Sequence, residues 1–175
     1  EERELTLILS VDLSGSMAFR SERAVMSKLE YAQSLAAALA YMMLQQQDAV
    51  GTLLFAEHPI AYVPPRSVRS HLDVVLRTLG SARAQGRTRL GPALHELAER
   101  IKRRGLVVLL SDLMDDPAEV LLGLQHFRHR GHEVVVFHVL DPDERDFPYT
   151  DTVTFVDMES GERLTTEPWE IARRY

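Results

Sequence analysis

The alternation of short apolar runs with amphipathic segments is the feature of this sequence that most constrains its fold. Leu5 to Val11 is almost continuously apolar, as a strand buried on both faces would be. The next segment carries apolar residues at spacings of three and four, which predicts a helix. The alternation then repeats along the chain. Strands separated by helices indicate parallel βαβ units, whose right-handed crossovers place helices on both faces of one sheet.

The predicted fold class is therefore α/β, with a doubly wound, mostly parallel open sheet and helices on both faces. We expect Pro64 and Pro65 to end the third strand and Gly80 to close the second helix. Asp116 should cap a later helix, with Pro117 at its first position. The predicted strands cover residues 5–11, 50–55, 60–63, 106–110, 134–140 and 152–156. The predicted helices cover residues 25–43, 68–79, 90–101 and 116–131, with a short one from Pro168.

The length of the chain favours a single domain over residues 1–175, because 175 residues suffice for one substantial core. The sequence has neither an initiator Met nor a leader pattern, which indicates a domain excised from a longer protein. It also has no apolar run long enough to span a bilayer, so we expect no membrane contact by this segment. We expect a cytoplasmic location, which is compatible with a membrane-anchored parent protein.

Charge and cysteine usage narrow the classes of binding site. The net charge of −6 argues against a general nucleic-acid binder, since such proteins usually carry a basic excess. Local arginine clusters are the one feature that favours nucleic acid, and they would make binding steeply salt-dependent. The chain has no Cys, so a disulfide framework and a thiolate metal site are both excluded.

A run of hard oxygen ligands follows the first predicted strand. Asp12, Ser14 and Ser16 place one carboxylate and two hydroxyls on a tight loop, in which Gly15 permits a close turn. Oxygen ligands of this kind suit Mg²⁺, Mn²⁺ or Ca²⁺ and suit zinc poorly. The competing interpretation is an ordinary strand-to-helix turn, in which Asp and Ser cap the helix.

Two further oxygen donors lie elsewhere in the chain. Asp112 directly follows another buried strand, and Thr88 lies in a loop that precedes a helix. In open α/β sheets, ligands bind outside the carboxyl ends of the strands. We therefore expect both residues to lie at the same edge of the sheet as Asp12, and capping alone does not explain this convergence.

These residues resemble the metal-ion-dependent adhesion site of von Willebrand factor A domains. The D-L-S-G-S run matches its DxSxS motif, while Thr88 and Asp112 match its later Thr and Asp. The resemblance implies a Rossmann-like fold and a Mg²⁺ site. It implies that Ser14 and Ser16 bind the metal directly, and that Asp12, Thr88 and Asp112 do so directly or through water. It further implies an open metal position, which a Glu or Asp of a partner protein fills.

A narrower resemblance, to the bacterial domain-of-unknown-function family 58, covers nearly the whole chain. Proteins of that family are commonly linked with MoxR-type AAA+ ATPases, so the resemblance implies such an ATPase, or its client, as the partner. The segments that carry it are Lys28 with the Ala-rich helix after it, and residues 48–51, 111–113, 141–144 and 157–162.

The predicted function is a divalent-metal-dependent protein-interaction module with no catalytic residues. The alternative is a Mg²⁺-dependent phosphatase or phosphotransferase, because those enzymes also place an Asp after the first strand. Phosphoaspartyl enzymes need a second carboxylate two residues later, where this chain has Ser14, and no phosphate-binding G-x-x-x-x-G-K loop occurs. A nucleophilic Ser is disfavoured because the chain lacks the G-x-S-x-G pattern and an obviously placed His base.

The charges around the predicted site admit two interpretations. Arg20, Arg23, Arg87 and Arg89 could ring the metal and attract an anion, or could simply be solvated loop charges. Residues 141–144 could form a second acidic patch at the same edge, or an Asp-Pro turn with solvated charges, which we favour.

Overall fold

The computed structural model describes residues 5–87 and 89–166, and its secondary structure alternates as the sequence predicts. A 3₁₀ turn over Gly15–Ala18 follows the first strand. The strands are β1 (Thr6–Asp12), β2 (Ala49–Phe55), β3 (Pro59–Arg66), β4 (Leu106–Ser111), β5 (Glu133–His138), β6 (Val153–Val156) and β7 (Arg163–Thr166). The helices are α1 (Lys28–Gln45), α2 (His71–Ser81), α3 (Leu90–Arg100), α4 (Pro117–His129) and α5 (Pro142–Asp146).

Five strands form one open sheet in the order β3-β2-β1-β4-β5. All neighbours in it are parallel except β2 and β3, which are antiparallel. The chain winds outward from β1 to one edge and then returns to continue through β4 on the other side. The crevice between the carboxyl ends of β1 and β4 is therefore the topological switch point, where folds of this type bind ligands.

The core has two layers because successive side chains of a strand point to opposite faces. Leu7 and Leu9 of β1 pack with apolar residues of α1 and α2, whereas Ile8 packs with those of α3 and α4. Strands β1, β2 and β4 are buried along nearly their full lengths. This arrangement confirms the predicted fold class, a doubly wound α/β sheet covered by helices on both faces.

Strand β3 continues through Pro64 and Pro65, so the prediction that they end it is wrong. β3 pairs on one side with β2 and has no neighbour on the other in the described sheet. A proline lacks the backbone N–H that a residue in a central strand donates to a neighbouring strand. An edge strand tolerates this loss, because one of its sides has no neighbour. A register shift between Val50 and Thr52 accommodates the pair.

Helix α2 includes Gly80 and ends one residue later, so the prediction that Gly80 closes it is wrong. Gly80 does not take the left-handed conformation that such a cap requires. The Arg83 guanidinium instead donates to the Gly80 and Ala82 carbonyls at 2.9 and 2.8 Å. Helix α4 ends as predicted, with Gly131 at a φ of 83° just beyond it.

The segment after β5 departs furthest from the sequence prediction. The expected last strand forms as β6, but it pairs with β7 in a separate two-stranded sheet and does not extend the main one. The short helix α5 was not predicted. The helix expected from Pro168 lies outside the described residues. Within residues 5–87 and 89–166, no helix is long and apolar enough to cross a membrane.

Two helical glycines provide a matched test of how closely α3 and α4 pack. A Cβ at Gly123 would lie 2.7 Å from Leu94 Cβ, whereas a Cβ at Gly80 meets nothing within 4 Å. We expect Gly123→Ala to destabilise the chain by about 1–2 kcal/mol, since overpacking outweighs the gain in helix propensity. Gly80→Ala should stabilise it by about 0.5 kcal/mol. Urea unfolding of both variants measures the difference, and equal effects would contradict the packing described here.

Candidate metal site at the carboxyl edge of the sheet

Asp12 ends β1 with a carboxylate that is almost completely buried, at 1% exposure. Its Oδ1 accepts a hydrogen bond from the Ser14 backbone N–H at 2.8 Å, and its Oδ2 accepts one from Ser111 Oγ at 2.6 Å. Burial raises the pKa of Asp12 to about 6, although these hydrogen bonds oppose the rise. Asp12 is thus held in a fixed position by the loop after its own strand and by the neighbouring strand β4.

The Ser14 and Ser16 hydroxyls face each other, with their Oγ atoms 3.2 Å apart. Ser14 precedes the 3₁₀ turn, but its side chain does not cap that turn. The cap of α1 is Ser27, which forms a capping box with Glu30. The capping interpretation of the DxSxS loop therefore does not account for these hydroxyls.

Asp112 lies at the same edge, just beyond β4, in a buried ion triad. The Lys28 ammonium contacts Asp112 Oδ2 and Glu144 Oε1, each at 2.7 Å, and the Lys28 side chain is 2% exposed. The second Asp112 oxygen accepts a long hydrogen bond of 3.3 Å from the Met114 N–H. Lys28 therefore fixes the orientation of Asp112, and its single positive charge is shared between Asp112 and Glu144.

Sequence analysis assigns no site role to Lys28 or Ser111, and it considers Glu144 only as part of a possible acidic patch. The one signal that sequence carries for Lys28 is a lysine at the first position of an Ala-rich, otherwise apolar helix. Ser111 was visible only as the residue before Asp112. Its hydrogen bond to Asp12 joins residues 99 positions apart, and sequence spacing cannot reveal such a partnership.

Thr88, the fifth predicted metal residue, lies outside the described residues, but both sides of its loop reach this edge. The Gly86 carbonyl accepts from the Gly15 N–H at 3.1 Å. The Leu90 N–H donates to Asp115 Oδ2 at 2.6 Å, so Asp115 caps α3 from the loop after β4. Leu113 of that loop takes a left-handed φ of 55°, which a bulky residue rarely adopts.

The residues at 141–144 are neither a second open acidic patch nor a solvated turn. Asp141 is buried, and its carboxylate accepts from the Asp143 and Ser21 N–H groups, each at 2.9 Å. Glu144 completes a capping box by accepting from the Asp141 N–H. The favoured prediction of solvated charges is therefore wrong for Asp141, because burial of its carboxylate requires these donors.

Two of the four arginines that could ring the site have acidic partners. Arg23 binds Asp143 and Asp146 at 3.1 and 2.6 Å, and Arg89 lies 3.5 Å from Glu57. Arg20 donates through its Nε to the Ala24 carbonyl. Hydrogen bonds from the Ser160 and Glu159 N–H groups hold the pKa of the Asp157 carboxyl below its usual range, and the nearby Arg87 guanidinium lowers it further.

The donor set at this edge fits a hard divalent cation. Within residues 5–87 and 89–166, no three His, Cys, Asp or Glu side chains form a metal-binding group. The oxygens gathered here are the Asp12 and Asp112 carboxylates and two hydroxyls, a mixture that suits Mg²⁺ better than zinc. The charge of Asp112 also disfavours ionisation of the buried Asp12, so a cation between them would relieve both burial and repulsion.

Comparison with known families decides the affiliation of the chain. The family model described as "Protein of unknown function DUF58" matches residues 1–174. The chain belongs to this family. Uncharacterised proteins of Mycobacterium tuberculosis and Mycobacterium bovis are each 32% identical to it over 163 residues. The alignments cover 91% of this chain and 50% of those proteins, so this DUF58 domain spans about half the length of the curated relatives it matches.

Two solved structures share the fold of this DUF58 domain. An aerotolerance-related membrane protein from Bacteroides fragilis superposes with a TM-score of 0.65 at 20% identity, over 95% of this chain and 83% of its own. The conserved hypothetical protein BatB from Bacteroides thetaiotaomicron gives 0.60 at 18%, over 93% and 80%. At these identities the likeness concerns the fold alone.

Removal of the Lys28 charge tests the ion triad. We expect Lys28→Met to lower the free energy of unfolding by about 3–5 kcal/mol in the presence of chelator, because it leaves Asp112 as an uncompensated buried charge. The matched control is Arg77→Met, which breaks the exposed pair with Asp73 and should change it by less than about 0.5 kcal/mol. Urea unfolding measures both, and equal losses would show that the triad is not the buried network described here.

Proposed function

We propose that this DUF58 domain is a divalent-metal-dependent protein-interaction module, with Mg²⁺ as its natural metal and Mn²⁺ or Ca²⁺ as substitutes. Ser14 and Ser16 bind the metal directly, and Asp12 does so directly or through water. Thr88 is assigned to the same shell by its place in the DxSxS pattern of von Willebrand factor A domains. The bound metal recognises a Glu or Asp of a partner protein.

The observation that carries this proposal is the meeting of a buried carboxylate with a hydroxyl pair at the switch point of the sheet. Asp12 is fixed by Ser14 and Ser111, and the Ser14 and Ser16 hydroxyls lie 3.2 Å apart on the same loop. A buried carboxylate normally needs a cation or full hydrogen bonding to remain charged. The hydrogen bonds to Asp12 offset only part of the cost of burial, which raises the pKa of Asp12 to about 6.

Lys28 determines how Asp112 takes part. One Asp112 oxygen is held by the Lys28 ammonium at 2.7 Å, which favours contact with the metal through water at the other oxygen. The chain then contributes little direct negative charge to the ion. A metal coordinated mainly by hydroxyls and water remains electrophilic, which suits it to bind a carboxylate from outside.

A binding role accounts for this edge better than catalysis does. The Ser14 hydroxyl hydrogen-bonds to the Ser16 hydroxyl and to the Asp12 carboxylate, which the proposal assigns to the metal and which is then not free to act as a general base. The imidazole at this edge, His138, donates instead to the Asp112 carbonyl at 3.0 Å. For the partner we propose a MoxR-type AAA+ ATPase or its client, on the family resemblance.

Calorimetric titration of Mg²⁺ and Mn²⁺ into the chelator-stripped chain tests the metal site. We expect the native chain to bind one ion and Asp12→Ala to bind none, because the substitution removes the buried carboxylate. Asp73→Ala serves as the control, since Asp73 is an exposed residue of α2 that pairs with Arg77. It should bind as the native chain does.

Two results would contradict the proposal. One is unchanged metal binding by Asp12→Ala, and the other is a native chain that binds neither ion. If the metal binds as expected, retention of the partner protein on the immobilised chain should require Mg²⁺ and disappear with chelator.

A further inference from the structure

The turn between β6 and β7 lies directly on the DxSxS loop. A Cβ placed on Gly15 would be 3.4 Å from Glu159 Cγ and 3.6 Å from the Met158 carbonyl oxygen. Both distances are ordinary van der Waals contacts. The β6–β7 hairpin, which is not part of the main sheet, therefore covers the loop that carries Ser14 and Ser16.

The turn has a well-defined backbone that presents one side chain to the site. Asp157 Oδ1 accepts from the Glu159 and Ser160 N–H groups at 2.7 and 2.9 Å, and the Gly161 N–H donates to the Asp157 carbonyl. Asp157, Met158 and Ser160 are exposed, whereas Glu159 is half-buried. Glu159 is thus the residue of this turn that faces the candidate metal loop.

The hairpin is anchored to the elements that hold Asp112. Phe155 of β6 stacks on Phe147, at the end of α5, with ring centroids 5.8 Å apart and an interplanar angle of 16°. Helix α5 in turn supplies Glu144, which binds Lys28 at 2.7 Å. A cavity of about 690 Å³ lies between the hairpin and the loop, and Ser16 and Glu159 both line it. Room therefore exists for the Glu159 side chain to adjust at the site.

The number of charged groups that would bind the ion directly is small. The single charge of Lys28 is shared between Asp112 and Glu144, and in the proposed site Asp112 reaches the metal only through water. Asp12 is then the one carboxylate proposed for the direct shell. Because the number of charged ligands is a main determinant of how tightly a protein holds such an ion, a second direct carboxylate from the chain would tighten binding.

We propose that Glu159 is an internal carboxylate ligand, which completes the metal shell when no partner is bound. The β6–β7 hairpin is then a strap that occupies the position meant for the acidic residue of the partner. A partner must displace Glu159 to bind, so movement of the hairpin regulates access to the metal. This inference rests on the proposed metal-binding function.

The test is a Mn²⁺ titration followed by electron paramagnetic resonance and by the longitudinal relaxation of water protons. It uses the native chain, Glu159→Ala, Asp12→Ala and the matched control Glu162→Ala. Glu162 belongs to the same turn and carries the same charge, but its side chain is exposed. Thermal unfolding of each variant verifies that the fold is retained.

We expect Glu159→Ala to weaken Mn²⁺ affinity by about tenfold, through loss of a charged ligand. It should also increase the water-proton relaxation caused by bound Mn²⁺, because a water molecule takes the vacated position. Glu162→Ala should change neither quantity, and Asp12→Ala should abolish binding.

Two outcomes overturn the inference while leaving the proposed metal site intact. In the first, Glu159→Ala matches the native chain in affinity and relaxation, and Asp12→Ala still abolishes binding. In the second, Glu159→Ala and Glu162→Ala weaken binding equally with unchanged relaxation, which would reveal a general charge effect. Failure of the native chain to bind Mn²⁺, or binding by Asp12→Ala equal to native, overturns both the proposed function and this inference.

Discussion

The contact of the Lys28 ammonium with two carboxylates is the interaction on which the candidate site depends. It joins the start of α1 to the loop after β4, through Asp112, and to α5, through Glu144. Because the Lys28 and Asp112 side chains are almost fully buried, loss of Lys28 would leave the Asp112 carboxylate without solvent or counter-ion. The same contact fixes the Asp112 carboxylate and positions α5, against which the β6–β7 hairpin packs. The single buried ammonium of Lys28 thereby holds together three segments that are far apart in sequence.

Much of the fold follows from the sequence because its determinants are local. The buried runs of β1, β2 and β4 and the spacing in α1 and α3 identify strands and helices without knowledge of their partners. The positions of Asp12 and Asp112 at one edge then follow from the rule that parallel strands share a carboxyl end. Features that depend on which strands pair cannot be predicted in this way. Strand β3 tolerates Pro64 because it is an edge strand, and β6 lies outside the main sheet because it pairs with β7. The local sequence of β3 or β6 does not reveal these pairings.

The site shows the same division. The oxygen ligands of the DxSxS loop can be recognised from spacing, but the partners that control them cannot. Ser111 holds Asp12 across 99 positions, and Lys28 holds Asp112 across 84. Glu159 contacts the loop only because the hairpin folds back over Gly15. In the proposed site, the hydroxyl-rich loop gives the metal few charged direct ligands, so a carboxylate of the chain and one of a partner can compete for the open position.

The most direct test of the central claim, a metal bound at the DxSxS loop, is anomalous diffraction from crystals of the chain grown in Mn²⁺. We predict an anomalous peak beside the loop, within direct coordination distance of the Ser14 and Ser16 hydroxyl oxygens, which is roughly 2.0–2.6 Å for hard divalent cations. A peak at another place in the chain, with none near Asp12, Ser14 and Ser16, would contradict it.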